Sequence, residues 1–450
     1  MTLPPTPSYD ECVKSLTSSG EIFALCQRTH YGVPMTDFSE RPHHLSELLP
    51  TIEAYGEREC LIYGDARLNY RDFVAQIHEF ANFLHSELKV RRGDRVAILA
   101  FNRPEWIIAF WAITLVGGIA VAMNSWWTEA EINQALAITK PETLICDAKC
   151  FKKLNTSPKG VKNVVLMDEW PVEEYSEAKV FPFFQTGRLR RPPFATAPVD
   201  VTEGDIAAIF FTSGTTGQPK GVAISHRAWL VGLMNAALAA TIIKTLQPDL
   251  EIIDQDIRFL ATLPFFHVGG GHGIVLSGIV GGHTIVIAKG RFDPLTTVEL
   301  IEKERITRWS AVPAMVQSVC ALPEAQNRDL SSLTSIAYGA APSSPRLQQL
   351  AFLTFRNLRA VSNAFGMSET GSVFAMNTGN DYRERPQSIG RAFPTADIRI
   401  VDAQGRPVKA GDIGELQVRG LFLMEGYWGQ KNTPFTQDHF LPTGDMAYID

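Results

Sequence analysis

One stretch of the sequence concentrates groups that can hold phosphate: Thr212-Ser213-Gly214-Thr215-Thr216-Gly217-Gln218-Pro219-Lys220-Gly221. Its three glycines let backbone N–H groups approach a ligand closely. Three threonines and a serine add hydroxyls, and Lys220 adds a positive charge. Amides, hydroxyls and one cation converging after a strand form a polyphosphate cradle. The loop is not of the G-x-x-x-x-G-K-[ST] type, because Gln218 follows Gly217 and a strand-like Gly221-Val222-Ala223-Ile224 follows the lysine. On its own the stretch also fits a Ser/Thr/Gly surface loop. His267, in Leu263-Pro264-Phe265-Phe266-His267-Val268, is a second group able to meet an anion, since imidazole can donate without a fixed charge. In isolation it reads more readily as a structural histidine.

These groups need a scaffold. Ile206–Phe211 is a predicted strand leading into the loop, and Arg258–Leu263 is one leading towards His267. Upstream, Leu68-Asn69-Tyr70 reads as a strand, Arg71–Leu88 as an amphipathic helix and Arg95–Ala100 as a buried strand. Ile107–Met123 is apolar apart from Thr114, but Gly117-Gly118 divides it into a buried helix and strand, too short to cross a bilayer. Gly273–Val280, Gly281-Gly282 and Thr284–Ala288 repeat that helix, turn and strand pattern. The expected fold is α/β: two subdomains with largely parallel sheets covered by helices, over 46–200 and 201–388. Residues 1–45 read as an irregular extension with a short helix near Gly20–Arg28, and 178–200 as a Pro-rich surface connector. Alternation in Asp397–Asp402 and Gly414–Arg419 makes 389–450 a small β-barrel-like subdomain.

Composition excludes several classes. A chain of 450 residues with net charge -6 and no Lys/Arg tract lacks the basic footprint of a nucleic-acid binder. The cysteines at 12, 26, 60, 146, 150 and 320 form neither a C-x-x-C pair nor a zinc-finger spacing, and six in a chain this long do not make a disulfide framework. Reduced thiols and an N-terminus without a secretory signal lead to the expectation of a cytoplasmic protein without a transmembrane segment.

The loop Thr212–Gly221 resembles the signature of the adenylate-forming superfamily of acyl-CoA synthetases, peptide-synthetase adenylation domains and beetle luciferases. The resemblance continues in order over roughly residues 50 to 450. Leu263–Val268 resembles the segment whose His lies beside the acid carboxylate. Ser335-Ile336-Ala337-Tyr338-Gly339-Ala340-Ala341-Pro342 resembles the turn beneath adenine. Asn363-Ala364-Phe365-Gly366-Met367-Ser368-Glu369-Thr370-Gly371 resembles the second nucleotide motif, with Phe365 where Tyr is common and Ser368 where Thr is common. Gly414–Gly420 with Tyr427 resembles the strand before the last motif, Thr443-Gly444-Asp445.

The resemblance implies a carboxylic acid attacking the α-phosphate of MgATP to give an acyl-adenylate and pyrophosphate, after which the thiol of CoA displaces AMP. It assigns Thr212 to Lys220 to the β- and γ-phosphates, Glu369 to Mg²⁺, Ser368 to the α-phosphate, and Asp445 to ribose, where a carboxylate can accept two hydroxyls. It places adenine among Gly339, Ala340, Ala341 and Asn363–Met367, and the acid among His267, Val268, Gly269, Gly273 and Gly339. The four glycines of Gly269-Gly270-Gly271-His272-Gly273 suggest room for a long tail, so a medium- or long-chain fatty acid is the first expectation and an aryl or arylpropenoic acid the second. The family continues past Thr-Gly-Asp with a small C-terminal domain carrying a lysine that drives adenylation. The sequence ends at Asp450, which leads to the expectation of ligand binding with weak or absent turnover. Loading of a carrier protein instead of CoA, a non-catalytic adenylate-binding role, luciferase-like oxidation and a homodimer stay open at this point.

Overall fold

The computed structural model describes residues 7–154, 158–168, 178–183, 200–213, 219–246, 256–339, 341 and 343–450. The architecture is α/β, with two large, mostly parallel sheets and one small antiparallel sheet. The first sheet has eight strands in the order Gly426–Tyr427, Pro219–Ser225, Ile206–Ser213, Ile119–Ala122, Arg95–Leu99, Thr143–Cys146, Asn163–Leu166, Lys179–Pro182. It is parallel from Ile206–Ser213 to Lys179–Pro182 and antiparallel at its other edge. The second has nine, in the order Arg391–Ala392, Val373–Thr378, Ala360–Gly366, Ser335–Tyr338, Arg308–Ala311, Arg258–Ala261, Thr284–Ile287, Glu59–Tyr63, Ala66–Asn69. Its middle is parallel and both edges are antiparallel.

The strands are continuously apolar because helices cover both faces. Ile119–Ala122 and Thr143–Cys146 are buried at every residue. The helix Pro104–Leu115 is buried continuously from Trp106 to Leu115 and packs against strands of both sheets. The helix His226–Leu246 likewise bridges the two sheets. It is the one helix among the described residues long and apolar enough to cross a membrane by length and composition, and half of its most apolar window is buried inside the protein. Gly117 and Gly282 end the two repeated helix-to-strand connections at φ of 73° and 69°, a left-handed conformation that favours glycine. At Gly282 a Cβ would also lie 2.6 Å from the Tyr55 ring.

Several sequence expectations change. The N-terminal extension is ordered: Tyr9–Leu16 is a helix with a Ser8–Glu11 capping box, and Leu25–His30 pairs with Val33–Phe38 as a hairpin. No helix forms near Gly20–Arg28. Buried Asp37 fixes the extension by binding Arg41 at 2.8 Å, and alternation there is too weak to reveal the hairpin from sequence. Of the stretch 178–200, Lys179–Pro182 is the outermost strand of the first sheet, while 184–199 lie outside the described residues. Gly271–Leu276 is a wide π-helical turn before the short helix Ser277–Val280. The β-rich end is a three-stranded antiparallel sheet of Asp397–Val401, Gly414–Arg419 and Leu441–Ala447. The large sheets also cross the linear division at residue 200, because 59–69 belong to the second sheet and 206–225 to the first.

Candidate active site

The strand Ile206–Ser213 carries Thr212 to the start of the phosphate loop, and the chain returns along Pro219–Ser225 with Lys220 opposite Thr212. Gly214, Thr215, Thr216 and Gly217 lie outside the described residues, as do the side chain of Ser213 and Ala340. Beside Lys220 runs the edge strand Gly426–Tyr427, with Tyr427 paired to Val222. The Lys220 ammonium sits 5.1 Å from the centre of the Tyr427 ring. The Tyr427 hydroxyl donates to Glu369 Oε1 at 2.9 Å. Burial, and then the neighbouring carboxylate, push the Tyr427 pKa upward, so the phenol stays protonated as a donor. Glu369 is buried in the turn Ser368–Thr370, and its carbonyl accepts the Met424 N–H at 2.9 Å. Three residues far apart in sequence thus meet. Tyr427 was only a motif neighbour in the sequence reading, because its contact depends on sheet register.

Among the described residues no group of three or more His, Cys, Asp or Glu could cage a metal. A single buried carboxylate, with one oxygen bonded to Tyr427, suits a Mg²⁺ held mainly by phosphate oxygens and water. The nucleotide-motif residues divide by strand face. Tyr338 pairs with Asn363, which sets Gly339 beside Ala364. A Cβ at Gly339 would meet nothing nearer than Ala364 O at 3.8 Å, leaving a flat surface. Phe365 is half-buried and edge-to-face with Phe374 at 5.3 Å. Asn363 lies two residues before Phe365 on the same strand face, and its buried amide donates to Ser388 O at 3.4 Å. Its side-chain amide is thereby tied to the fold. Gly366 packs its Cα against the Ser372 carbonyl, where a Cβ would come within 2.4 Å. Met367 and Ser368 are half-buried, and Ala341 is exposed. Asp445 is exposed, its N–H bonded to Thr443 Oγ1 at 3.1 Å. No recorded contact among the described residues joins Asp445 to Lys220 or Glu369.

His267 precedes the short helix Val268–Gly270 and presents its ring beside Phe266 and the exposed Trp126, at centroid distances of 4.7 and 6.4 Å. It is solvent-accessible but crowded, and the partial loss of water lowers its pKa, favouring the neutral ring. Arg291 stacks over Trp126 and Lys289 over Tyr63. The segment before His267 is clamped from the other sheet: Asn102 Nδ2 donates to Leu263 O at 2.7 Å, and Asn102 Oδ1 accepts the Phe265 N–H at 2.9 Å. The glycine run does not simply leave room. A Cβ at Gly270 would lie 2.1 Å from Pro264 O, and one at Gly271 2.6 Å from the Phe210 ring, so both are close-packing glycines. Gly269 and Gly273 face more open space. Val268 turns into the core.

The space for a tail lies elsewhere, in a cavity of about 310 Å³ between the helix His226–Leu246 and the second sheet. Gly232, Ala236, Ala239 and Ala240 recur at helical spacing along its roof. Its floor comes from three adjacent parallel strands in register, Arg308↔Ser335↔Ala360 and Ser310↔Ala337↔Ser362, followed by Ala364. Alternate residues share a sheet face, so small side chains on both walls open a slot along the strands. Gly273 and His272 border it near the nucleotide motifs. Nε2 of His272 donates to Trp229 O at 3.1 Å, and burial lowers its pKa to about 4, which keeps the ring neutral. The signal for this slot was present as small residues at every second position of three strands, but pairing them requires the sheet order.

The AMP-binding enzyme family matches residues 50–428. A 4-coumarate–CoA ligase of Humulus lupulus is 30% identical over 424 residues, covering 91% of this chain and 74% of that protein. Among solved structures, a long-chain-fatty-acid CoA ligase from Rhodopseudomonas palustris superposes with TM-score 0.73 at 26% identity, over 90% of this chain and 96% of that one. The N-terminal domain of FACL13 from Mycobacterium tuberculosis shares the fold with TM-score 0.76 at 22% identity, over 91% and 97%. With the family match spanning most of the chain, and with Lys220, Tyr427 and Glu369 gathered at the end of the phosphate loop, the protein belongs to the AMP-binding, adenylate-forming family of acid–CoA ligases.

Proposed function

We propose that this chain activates a carboxylic acid with an elongated, mainly hydrocarbon tail as its acyl-adenylate, for transfer to CoA. The observation that carries this reading is the slot, which small residues open on both walls, which Ile243, Phe259, Met376 and Phe393 also line, and which includes Ala364 of the second nucleotide motif. An oxygen of the acid attacks the α-phosphorus of ATP and pyrophosphate leaves. The thiol sulfur of CoA then attacks the acyl carbonyl and AMP departs. Catalysis of the first step is positioning and electrostatics. Lys220 and Thr212 neutralise and orient the departing phosphates, with the loop between them. Ser368 donates to the α-phosphate, Phe365 and Gly339 frame adenine, and Asp445 accepts the ribose hydroxyls. Neutral His267 donates to the acid carboxylate at the mouth, without an ion pair that would dull its nucleophilicity. Mg²⁺, held by Glu369, would offset the negative charge shared by the phosphates.

A second reading, an arylpropenoic acid, is supported by the resemblance to 4-coumarate–CoA ligases. Thermal shifts with non-hydrolysable acyl-adenylate analogues separate the two, since ligands that bind only the native state raise its melting temperature. Alkyl tails should give the larger shifts. A larger shift with the coumaroyl analogue would favour the aryl reading, and no shift with any analogue would sink both.

A further inference from the structure

The hairpin of the N-terminal extension closes on a turn that strains its leading residue. Leu25–His30 and Val33–Phe38 are joined by Tyr31 and Gly32 alone, and both have positive φ, 51° and 77°. Two-residue turns of this kind favour Asn, Asp or Gly at the first position, because a bulky side chain is costly there. Such strain persists where the side chain has another task.

The Tyr31 side chain reaches two segments far along the chain. Its hydroxyl donates to Oε2 of Glu425, and its ring packs against that of His439 with centroids 4.4 Å apart. His439 also has a positive φ, 65°, and stacks in turn on Phe435 at 4.3 Å. Glu425 directly precedes the edge strand Gly426–Tyr427, whose tyrosine binds Glu369. That strand has only two residues, and Gly426, at φ 135°, is a pivot within it. An anchor on the Glu425 side chain therefore fixes where the strand starts. Both carboxylate oxygens are taken, since Oε1 accepts from buried Arg227 at 2.6 Å. His439 lies two residues before the strand Leu441–Ala447, which carries Asp445. The hairpin is itself rooted by buried Arg41, which binds Asp37 and Glu203, each at 2.8 Å.

We propose that Tyr31 is a positioning residue of the nucleotide site, a strut that sets the Tyr427–Glu369 pair and the segment of Asp445 relative to each other. The proposal rests on the acyl-adenylate reading, which puts Mg²⁺ at Glu369 and ribose at Asp445. Tyr31 acts through Glu425 and His439.

Calorimetry with the magnesium complex of α,β-methylene-ATP, and of its counterpart lacking both ribose hydroxyls, tests it alongside the melting temperature. Tyr31→Asn removes both contacts and supplies a residue that the turn favours. Because Tyr31 is 56% exposed, that variant should melt within about 3 °C of the unmodified protein. Its affinity for the intact analogue should fall about tenfold, the scale of one hydrogen bond with one aromatic contact, and the advantage conferred by the ribose hydroxyls should shrink. Tyr31→Phe keeps the ring and should lose only about threefold, which also serves as the test if Tyr31→Asn fails to fold. Nucleotide binding indifferent to both substitutions would overturn the proposal, since the tip would then only pack, and would leave the acyl-adenylate reading standing. An undiminished ribose advantage in Tyr31→Asn would overturn it too, because the strut would then not reach the Asp445 segment. No binding of either analogue by the unmodified protein would overturn both.

Discussion

Tyr427 joins two groups that the proposed mechanism sets on the same nucleotide, since its ring carries the Lys220 ammonium and its hydroxyl donates to one oxygen of Glu369. Tyr427→Phe keeps the ring and removes the donor. Affinity for a magnesium complex of a non-hydrolysable ATP analogue should then fall by roughly fivefold, about 1 kcal/mol, with fold stability nearly unchanged. Calorimetry at fixed nucleotide and varied magnesium checks this, and unaltered magnesium dependence would show that the Ser368–Thr370 turn alone orients Glu369. His267 makes a second residue-scale case. Crowding lowers its pKa, so its NMR titration midpoint should lie below the ~6.5 of a free imidazole. A midpoint at or above that value would remove the neutral-donor role. The motif residues themselves were legible in the sequence because their types and order are distinctive. The partnership of Tyr427 with Glu369 was not, since it arises from an edge strand of only two residues.

At the level of elements, the clamp by Asn102 ties the end of one sheet's strand to the segment that delivers His267. Asn102→Asp would set an anion against the Leu263 carbonyl, costing about 1–3 kcal/mol through a buried unsatisfied group. Protonation of the new carboxyl on mild acidification should restore part of the loss, because the acid form can donate again. Chemical denaturation at two pH values reads both effects, and a loss indifferent to pH would mean that Asn102 only fills space. The slot offers a cleaner test. Ala236 borders it and is accessible, so Ala236→Leu should leave folding intact. Binding of a dodecanoyl adenylate should weaken by about tenfold or more, with that of the acetyl analogue unchanged, as expected when a passage is overfilled. Helices and strands were legible where periodicity was strong: Gly414–Arg419 and Ile119–Ala122 lie where alternation and the Gly-Gly break place them. The glycine run after His267 misled because composition cannot tell a glycine that makes space from one that packs against Pro264 or Phe210.

Across the whole molecule, buried histidines are one source of lost stability on acidification. His226 accepts the Leu45 N–H on Nδ1, and burial lowers its pKa to about 3; that of His272 falls to about 4. In the unfolded chain both would bind protons near ~6.5. Their contribution is therefore complete above that pH. It declines on acidification towards the folded-state values, by up to ~1.4 kcal/mol per pH unit for each. Urea denaturation between about pH 6.5 and 5 should show falling stability, with a shallower slope in His226→Gln. An equal slope in that variant would assign the effect to other groups. The interleaving of the sheets was the least legible feature, because nothing local in Glu59–Tyr63 says that its partner is Thr284–Ile287. That pairing also bears on synthesis. The early strand leaves the ribosome about 220 residues before its neighbour, a wait of roughly 10–45 s at ~5–20 residues per second. Throughout that interval the strand has only its hairpin partner Ala66–Asn69, and its other edge stays open, so the nascent chain should gain from a holding chaperone or slow, cool expression, and production of the two halves separately should yield aggregates.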